Sequence, residues 1–147
     1  MLLNNIKLKN NINFNYFIRM YRTSKKAKLI LLIELDEIII GSILDNLTTK
    51  KPSIQSNTRL QFKQSLKNIL YIEHLYSLFQ EFCGSKPLII SKFDNRPNKY
   101  KEYSSIKFQT LSISCFNKYR ELFYNKKDIK YIPKNLEKLL TKRGLAY

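Results

Sequence analysis

Acidic residues are scarce in this sequence, and the few that stand together could in principle hold a metal ion. The chain has 147 residues, of which 11 are Asp or Glu and 27 are Lys or Arg, so its net charge is +16. The densest acidic group is Glu34, Asp36 and Glu37. A run of isoleucines follows in a predicted helix, and acids interact favourably with the positive end of a helix dipole. We therefore expect a helix N-terminus here rather than a metal site.

The other residues that could ligate a metal or act as nucleophiles are one histidine, His74, and two cysteines, Cys83 and Cys115. Their spacing does not match any zinc-binding pattern. Both cysteines have phenylalanine neighbours, which predicts unreactive thiols in the core. We expect His74 to be a partly exposed structural residue, and we predict no metal site.

The excess of positive charge predicts a polyanionic partner. Asn, Lys, Ile and Tyr are all frequent, which is typical of A+T-rich coding such as that of many organelles. A surplus of 16 positive charges is more than a bias in Lys usage explains, so nucleic acid is the expected partner. The longest apolar stretch, residues 29–44, contains carboxylates that exclude a membrane span.

The first 28 residues differ from the rest because they contain seven Lys or Arg and no acid. We therefore divide the chain into a basic, Asn- and Lys-rich extension at residues 1–28 and a folded domain at residues 29–147. The extension is either an import presequence or a tail that binds nucleic acid. In the second case its candidate contacts are Arg19, Arg22, Lys25, Lys26 and Lys28.

The remaining sequence predicts an α+β domain in the order α-β-β-α-β-β-α-α, in which three of the four strands can be given bounds. Helices are predicted over residues 34–44, 68–82, 115–124 and 133–141, strands over 57–64, 87–92 and 102–111, and a polar turn over 48–56. Two of the strands alternate polar and apolar residues, which indicates one buried and one polar face. The candidate nucleic-acid contacts on the polar face and in the loop at 93–101 are Arg59, Gln61, Lys63, Arg96, Lys99, Lys107 and Gln109.

Several stretches, in the same order, resemble the LAGLIDADG homing endonucleases. The likeness spans about residues 34–147 and is carried by residues 38–41, 57–65, 71–82, 93–111, 115–124 and 143–147. It implies an αββαββα unit whose four-stranded sheet presents a polar, basic face to DNA. It also implies signature helices that pack together through small residues, here Gly41 and Ser42, and that each end in an acidic metal ligand.

Two departures from the family pattern bear on catalysis. With Gly41 aligned to the glycine of the motif, Asn46 occupies the position of the metal-binding aspartate, and a neutral amide is a weaker ligand than a carboxylate. Asp45 precedes it, about 100° away around the helix. The second signature helix would begin at residues 145–147, where the sequence ends. We therefore expect no catalytic residue, with Asn46 as a degenerate position.

These observations predict a protein that binds nucleic acid and is not an enzyme. The preferred interpretation is a structural, rRNA-binding component of a mitochondrial or other organellar ribosome. Its partners would be structured RNA and neighbouring proteins of a large ribonucleoprotein, without a cofactor. The alternatives are a homing endonuclease, either a homodimer or a split half, that cuts double-stranded DNA with Mg²⁺, and a group I intron maturase.

Overall fold

The computed structural model describes residues 31–94, 96 and 101–147. The predicted extension at residues 1–28, with all its candidate contacts, lies outside the described residues, and so does Lys99. The described helices and strands are α1 Ile33–Leu44, β1 Leu47–Lys50, β2 Arg59–Ser65, α2 Ile69–Phe79, β3 Leu88–Asp94, β4 Lys101–Gln109, α3 Asn117–Phe123, α4 Leu136–Leu139 and α5 Lys142–Leu145.

The four strands form one antiparallel sheet in the order β1-β2-β4-β3. Every second residue of β2 and β4 points to the helices, as the predicted alternation requires. Leu60, Phe62, Ile106 and Phe108 are each at most 3 % exposed. The ring of Phe62 stacks on that of Phe108, with centroids 4.6 Å apart, and contacts Phe79 of α2 at 5.1 Å. The predicted α+β fold and the buried face of its sheet are confirmed.

The predicted polar turn at residues 48–56 is wrong at its beginning. Residues Leu47–Lys50 form the edge strand β1, which pairs with the first half of β2. Leu47 and Thr49 are buried while the residues between and after them are exposed. This four-residue strand is too short and too polar to show a clear alternation, and its pairing with β2 stabilises it.

The helices after β1 are shorter than the sequence predicts. A 3₁₀ turn, Leu66–Asn68, precedes α2, and the side chain of Asn68 makes no capping hydrogen bond to that helix; its Nδ2 donates to Oε1 of Gln64 (3.3 Å). The predicted helix over residues 133–141 is observed only as α4. The chain becomes extended at Leu140, and α5 then begins with the Thr141 hydroxyl accepting a hydrogen bond from the N–H of Gly144 (3.2 Å).

A membrane-spanning helix is not found within the part of the chain that the structure describes, where every helix is too short or too polar to cross a bilayer.

Candidate nucleic-acid interface and metal half-site

The sheet face that points away from the helices carries the predicted polar side chains. Gln61 of β2 lies directly opposite Gln109 of β4, and Lys63 lies opposite Lys107. Like charges that face each other across strands destabilise a sheet. A partner that carries negative charge would remove this repulsion.

The same face has a second pair of facing cations at the sheet edge. Lys50 of β1 lies opposite Arg59 of β2 in the strand register. The Nε of Arg59 is buried and has no hydrogen-bond partner among the described residues. Sequence analysis missed Lys50 because it assigned that residue to a turn. We call the outer-face residues Lys50, Arg59, Lys63 and Lys107 the cationic face.

Arg96 does not join the cationic face in the structure. Its guanidinium, on a side chain that is 70 % exposed, donates to the carboxylate of Asp94 with Nε–Oδ1 and Nη2–Oδ2 distances of 2.8 and 2.5 Å. These hydrogen bonds raise the pKa of Arg96 and lower that of Asp94. The charge of Arg96 is therefore largely compensated within β3 and its following residues.

The acidic residues of α1 contact neighbouring elements. Glu34 and Glu37 form ion pairs with Arg143 of α5, at 3.3 and 3.0 Å. Asp36 accepts a hydrogen bond from the buried hydroxyl of Tyr119 (2.5 Å). No cluster of three or more His, Cys, Asp or Glu that could hold a metal occurs in the described residues. The acids of α1 thus fasten this helix to α3 and α5.

The small residues predicted to form a helix interface are buried. A Cβ atom on Gly41 would lie 1.8 Å from the main-chain oxygen of Gly144 in α5, so the two backbones are in direct contact there. Ser42 is also buried, and its hydroxyl has no hydrogen-bond partner among the described residues. Helix α1, the first signature helix, is therefore packed against residues 142–145. These residues lead into positions 145–147, where the resemblance places the beginning of the second signature helix.

Asp45 and Asn46 were expected to point in different directions around a helix, but α1 ends before both residues. Helix α1 ends at Leu44, and Asp45 has the non-helical dihedral angles φ −113° and ψ −88°. The helical turn of about 100° per residue therefore does not apply. The Nδ2 of Asn46 donates to Oδ2 of Asp45 at 3.1 Å, and Nε2 of Gln64 donates to the same oxygen at 3.3 Å.

A hydrogen-bond chain continues from Asn46 to the end of the described chain. The Asn46 amide also donates to the hydroxyl of Tyr71 (3.4 Å), which in turn donates to the main-chain oxygen of Tyr147 (2.6 Å). The hydroxyl of Tyr147 lies 2.8 Å from Nε2 of His74, and the two rings stack. The side chain of His74 is exposed, and its main-chain oxygen accepts a hydrogen bond from the Ser77 hydroxyl (2.7 Å).

Lys130 is a site residue that sequence analysis missed. Partial burial lowers the pKa of its amine, and the negative charge of nearby Asp45 opposes this shift. The two residues are 85 positions apart in a Lys-rich chain, so no local pattern could have linked them. Gln64 and Tyr71 were missed for the same reason, since their connection to the turn arises only from the fold.

The two cysteines are free and only half-buried, so their predicted position in the core is wrong. Desolvation raises the pKa of Cys83 to about 12, and burial also raises that of Cys115. Since the thiolate is the reactive form, these shifts agree with the predicted unreactive thiols.

Comparison with known proteins identifies the family. Residues 36–147 match the model of the LAGLIDADG DNA endonuclease family, and the chain belongs to this family. It is similar to the homing endonuclease I-WcaI bound to its DNA recognition sequence, with a TM-score of 0.74 and 27 % identity, over 85 % of this chain and 54 % of that one.

Two curated relatives are each 32 % identical to the chain. One is the cytochrome b mRNA maturase bI2 of Saccharomyces cerevisiae, where the match covers 74 % of this chain and 27 % of the maturase. The other is the probable intron-encoded endonuclease 1 of Wickerhamomyces canadensis, where it covers 76 % and 46 %. The chain thus spans about a quarter to half of the length of these relatives.

These relatives correct the functional predictions. The expectation that the chain is not an enzyme is wrong, because the family and its named members are endonucleases and a maturase. They also favour the endonuclease and maturase alternatives over the ribosomal interpretation, which they do not support. A nucleic-acid partner agrees with the DNA-bound neighbour.

Proposed function

We propose that this chain is one half of a homing endonuclease that binds double-stranded DNA on its cationic face and holds a divalent metal ion at the Asp45–Asn46 turn. The position of that turn carries the proposal. The main-chain oxygen of Asn46 accepts a hydrogen bond from the N–H of Lys63 (3.4 Å), which lies opposite Lys107. The turn that carries the Asp45 carboxylate is therefore hydrogen-bonded to the strand that carries Lys63, one of the cations that would bind phosphates.

The composition of the outer sheet face supports duplex DNA as the substrate. The cationic face would contact phosphates, which position the protein on the duplex without reading sequence. Gln61 and Gln109 lie opposite each other between these cations, and Gln side chains can bind the adenine edge in the major groove. The face thus offers both kinds of contact that sequence-specific DNA binding requires.

Asp45 is the residue that would hold a divalent ion in this half-site. Mg²⁺ binds oxygen ligands, commonly one or two carboxylates together with water and phosphate oxygens. The amide of Asn46 turns Nδ2 to Asp45, and its Oδ1 is buried, so the exposed carboxylate of Asp45 is the ligand that this turn offers. A bound Mg²⁺ would stabilise the negative charge that develops on the phosphate during cleavage. Asp45 would supply the negative charge of this half-site.

Cleavage of plasmid DNA tests the proposal. The plasmids would carry a library of fragments from the host's organellar genomes, because the target sequence is unidentified. We expect the chain to nick or cut a defined site with Mg²⁺ and not with EDTA, and Asp45→Asn to abolish this reaction. Glu81→Gln removes the same charge at an exposed position away from the turn and should cut normally. Equal cutting by Asp45→Asn and the wild type would refute the role of Asp45.

An intron RNA maturase is the second candidate function. The similarity to the yeast maturase favours it, as does the neutral residue Asn46 at the motif position. Competition between duplex DNA and a structured intron transcript of equal length, at one salt concentration, separates the two functions. We expect duplex DNA to compete more strongly.

An organellar location is part of the proposal and rests on the residue composition and on the cytochrome b maturase as a relative.

A further inference from the structure

The outer face of the sheet carries apolar residues at its β3 edge. Residues that lie directly opposite each other in antiparallel strands project to the same side of the sheet. Leu88 lies opposite Lys107, and Ile90 lies opposite Ser105, so both are on the side that carries the cationic face. Leu88 is 59 % exposed, and Ile90 is half-buried. We call Leu88 and Ile90 the apolar pair.

Lysines border the apolar pair on two sides. Lys107 lies across from Leu88 on the neighbouring strand. Lys92 follows Ile90 by two residues on the same side of β3 and is exposed. The hydroxyl of Ser105, beside Ile90, donates to the main-chain oxygen of that residue (3.4 Å), so its proton is used within the sheet. The surface between the two lysines is therefore formed by apolar side chains.

The shape and the chemistry of this edge fit the major groove of duplex DNA. Strand β3 pairs with β4 along its whole length of seven residues, and the major groove admits a two-stranded ribbon. Thymine presents its C5 methyl group there, and apolar side chains bind this group. Lysines bind the phosphates along the groove and position the protein. The major groove of an RNA duplex is too deep and narrow for side chains to read, and uracil lacks the methyl group.

We propose that the apolar pair recognises thymine: Leu88 and Ile90 bind C5 methyl groups in the major groove, while Lys107 and Lys92 contact phosphates beside them. This inference rests on the proposed function, because it assumes that the outer sheet face binds duplex DNA. The two apolar residues lie about 7 Å apart along β3, which matches about two base-pair steps along the groove. The preferred sequence should therefore hold thymines, on either strand, within a window of about three base pairs.

Contacts of this kind differ from phosphate contacts in their dependence on salt. Burial of one methyl group is worth about fourfold in affinity and involves no counterion. A phosphate contact instead adds to the slope of log K against log salt. Truncation of Leu88 should therefore weaken binding to thymine-containing DNA without changing that slope, whereas Lys63→Gln should reduce the slope and weaken binding to all sequences alike.

Exchange of thymine for deoxyuridine tests the inference, because it removes only the methyl group. A duplex that the full wild-type chain binds is first selected from a library of random duplex DNA. Each thymine of this duplex is then replaced in turn by deoxyuridine, and the dissociation constants are measured at one salt concentration. We expect the wild type to lose about fourfold in affinity at one or two neighbouring thymines. Leu88→Ala should bind the thymine and deoxyuridine forms of at least one of these positions equally.

Ile89→Ala is the matched control. Ile89 lies between the two residues of the apolar pair and is 53 % exposed, but it lies opposite Ile106, whose buried side chain points to the helices. Since Leu88 and Ile89 are both more than half exposed, we expect both variants to fold. Ile89→Ala should keep the wild-type preference for thymine. Loss of this preference in both variants would show that it depends on the strand as a whole, and would overturn the inference.

The outcomes separate the inference from the proposed function. If every deoxyuridine form of the selected duplex is bound as tightly as the original, the inference is wrong and DNA binding on the cationic face still holds. If the selection enriches no duplex sequence, the proposed function is wrong and the inference falls with it. A fall in the salt slope of Leu88→Ala as large as that of Lys63→Gln would also contradict an apolar contact.

Discussion

Gly41 and Gly144 lie so close together that a methyl group on Gly41 would overlap the main-chain oxygen of Gly144, at 1.8 Å. A Cβ on Gly144 would in turn lie 2.9 Å from the main-chain oxygen of Glu37. The Gly41 surface of α1 is therefore covered by α5 of the same chain. A homodimer that packs through Gly41 would first have to displace α5, so the contact favours the split-half form of the endonuclease over the homodimer.

Gly41→Ala should loosen α5 from α1. The atom that the new methyl group would meet is backbone, which cannot move as a flexible side chain does, so the two helices must separate. We expect the free energy of unfolding in urea to fall by about 1–3 kcal/mol. Trypsin should also cleave faster after Lys142 or Arg143, which lie in α5.

Gly84→Ala is the matched control for this substitution. Its Cβ would meet only Cδ2 of Leu111, at 3.1 Å, and a side-chain end can shift by the small distance required. We expect wild-type trypsin cleavage and a change in stability below about 1 kcal/mol. Wild-type stability and cleavage in Gly41→Ala would show that the close contact does not exist in solution.

Much of the sheet could be predicted because its two central strands alternate regularly. Burial of one face forces a period of two, so Phe62 and Ile106 were assigned to the core from sequence alone. Strand β1 could not be predicted, since Leu47–Lys50 gains its hydrogen bonds from residues of β2 farther along the chain. Helix α4 was overestimated because local propensity does not show that the chain becomes extended at Leu140.

The candidate site was predicted less well, because it depends on where one helix ends. Sequence analysis predicted this helix over residues 34–44, but in the comparison with the family motif it applied helical geometry to Asp45 and Asn46 and therefore separated their side chains. The helix ends at Leu44, and the two side chains are hydrogen-bonded. Lys130 and Tyr71 reach this turn only through the tertiary fold, and single-sequence patterns carry no information on such contacts.

Arg120→Ala should destabilise the domain more than Arg143→Ala. The side chain of Arg120 is 15 % exposed, and it donates to the main-chain oxygen of Thr49 (2.9 Å) and pairs with Asp128. Its removal leaves a β1 carbonyl without this partner, which we expect to cost about 1–3 kcal/mol in urea unfolding. Arg143 forms more exposed ion pairs, whose loss should cost about 0–1 kcal/mol. An equal loss in the two variants would contradict a role of Arg120 in holding β1.

The raised pKa of Cys83 predicts a slow reaction with thiol reagents. The ordinary cysteine pKa is 9.0, and in the folded chain that of Cys83 is about 12, so at pH 9 the thiolate is roughly 500-fold rarer in the folded state. Labelling by iodoacetamide of Cys115→Ser, in which Cys83 is the remaining thiol, should be much slower in buffer than in urea. Equal rates would show that Cys83 is accessible and ionised normally.

The same shift has a defined effect on stability. Below pH 9 the thiol is protonated in both states, and its contribution to stability is complete. As the pH rises from 9 towards 12, only the unfolded chain releases the proton, so the free energy of unfolding decreases. Cys83→Ser should remove this part of the alkaline loss. An identical alkaline profile in the two proteins would contradict the shift.

Exchange of Lys63 and Lys107 for glutamine should weaken DNA binding in a way that depends on salt. The two residues face each other across β2 and β4, so both would contact the same stretch of phosphates. Each lost phosphate contact reduces the slope of log K against log salt by about 0.9, which predicts a change of about 1.8 for the double variant. The fold should be unaffected or slightly stabilised, because the exchange removes a facing pair of like charges.

The double exchange of Lys126 and Lys127, exposed in the loop after α3, removes the same charge away from the sheet and should leave the slope almost unchanged. If both double variants changed the slope equally, binding would depend on overall charge and not on the cationic face.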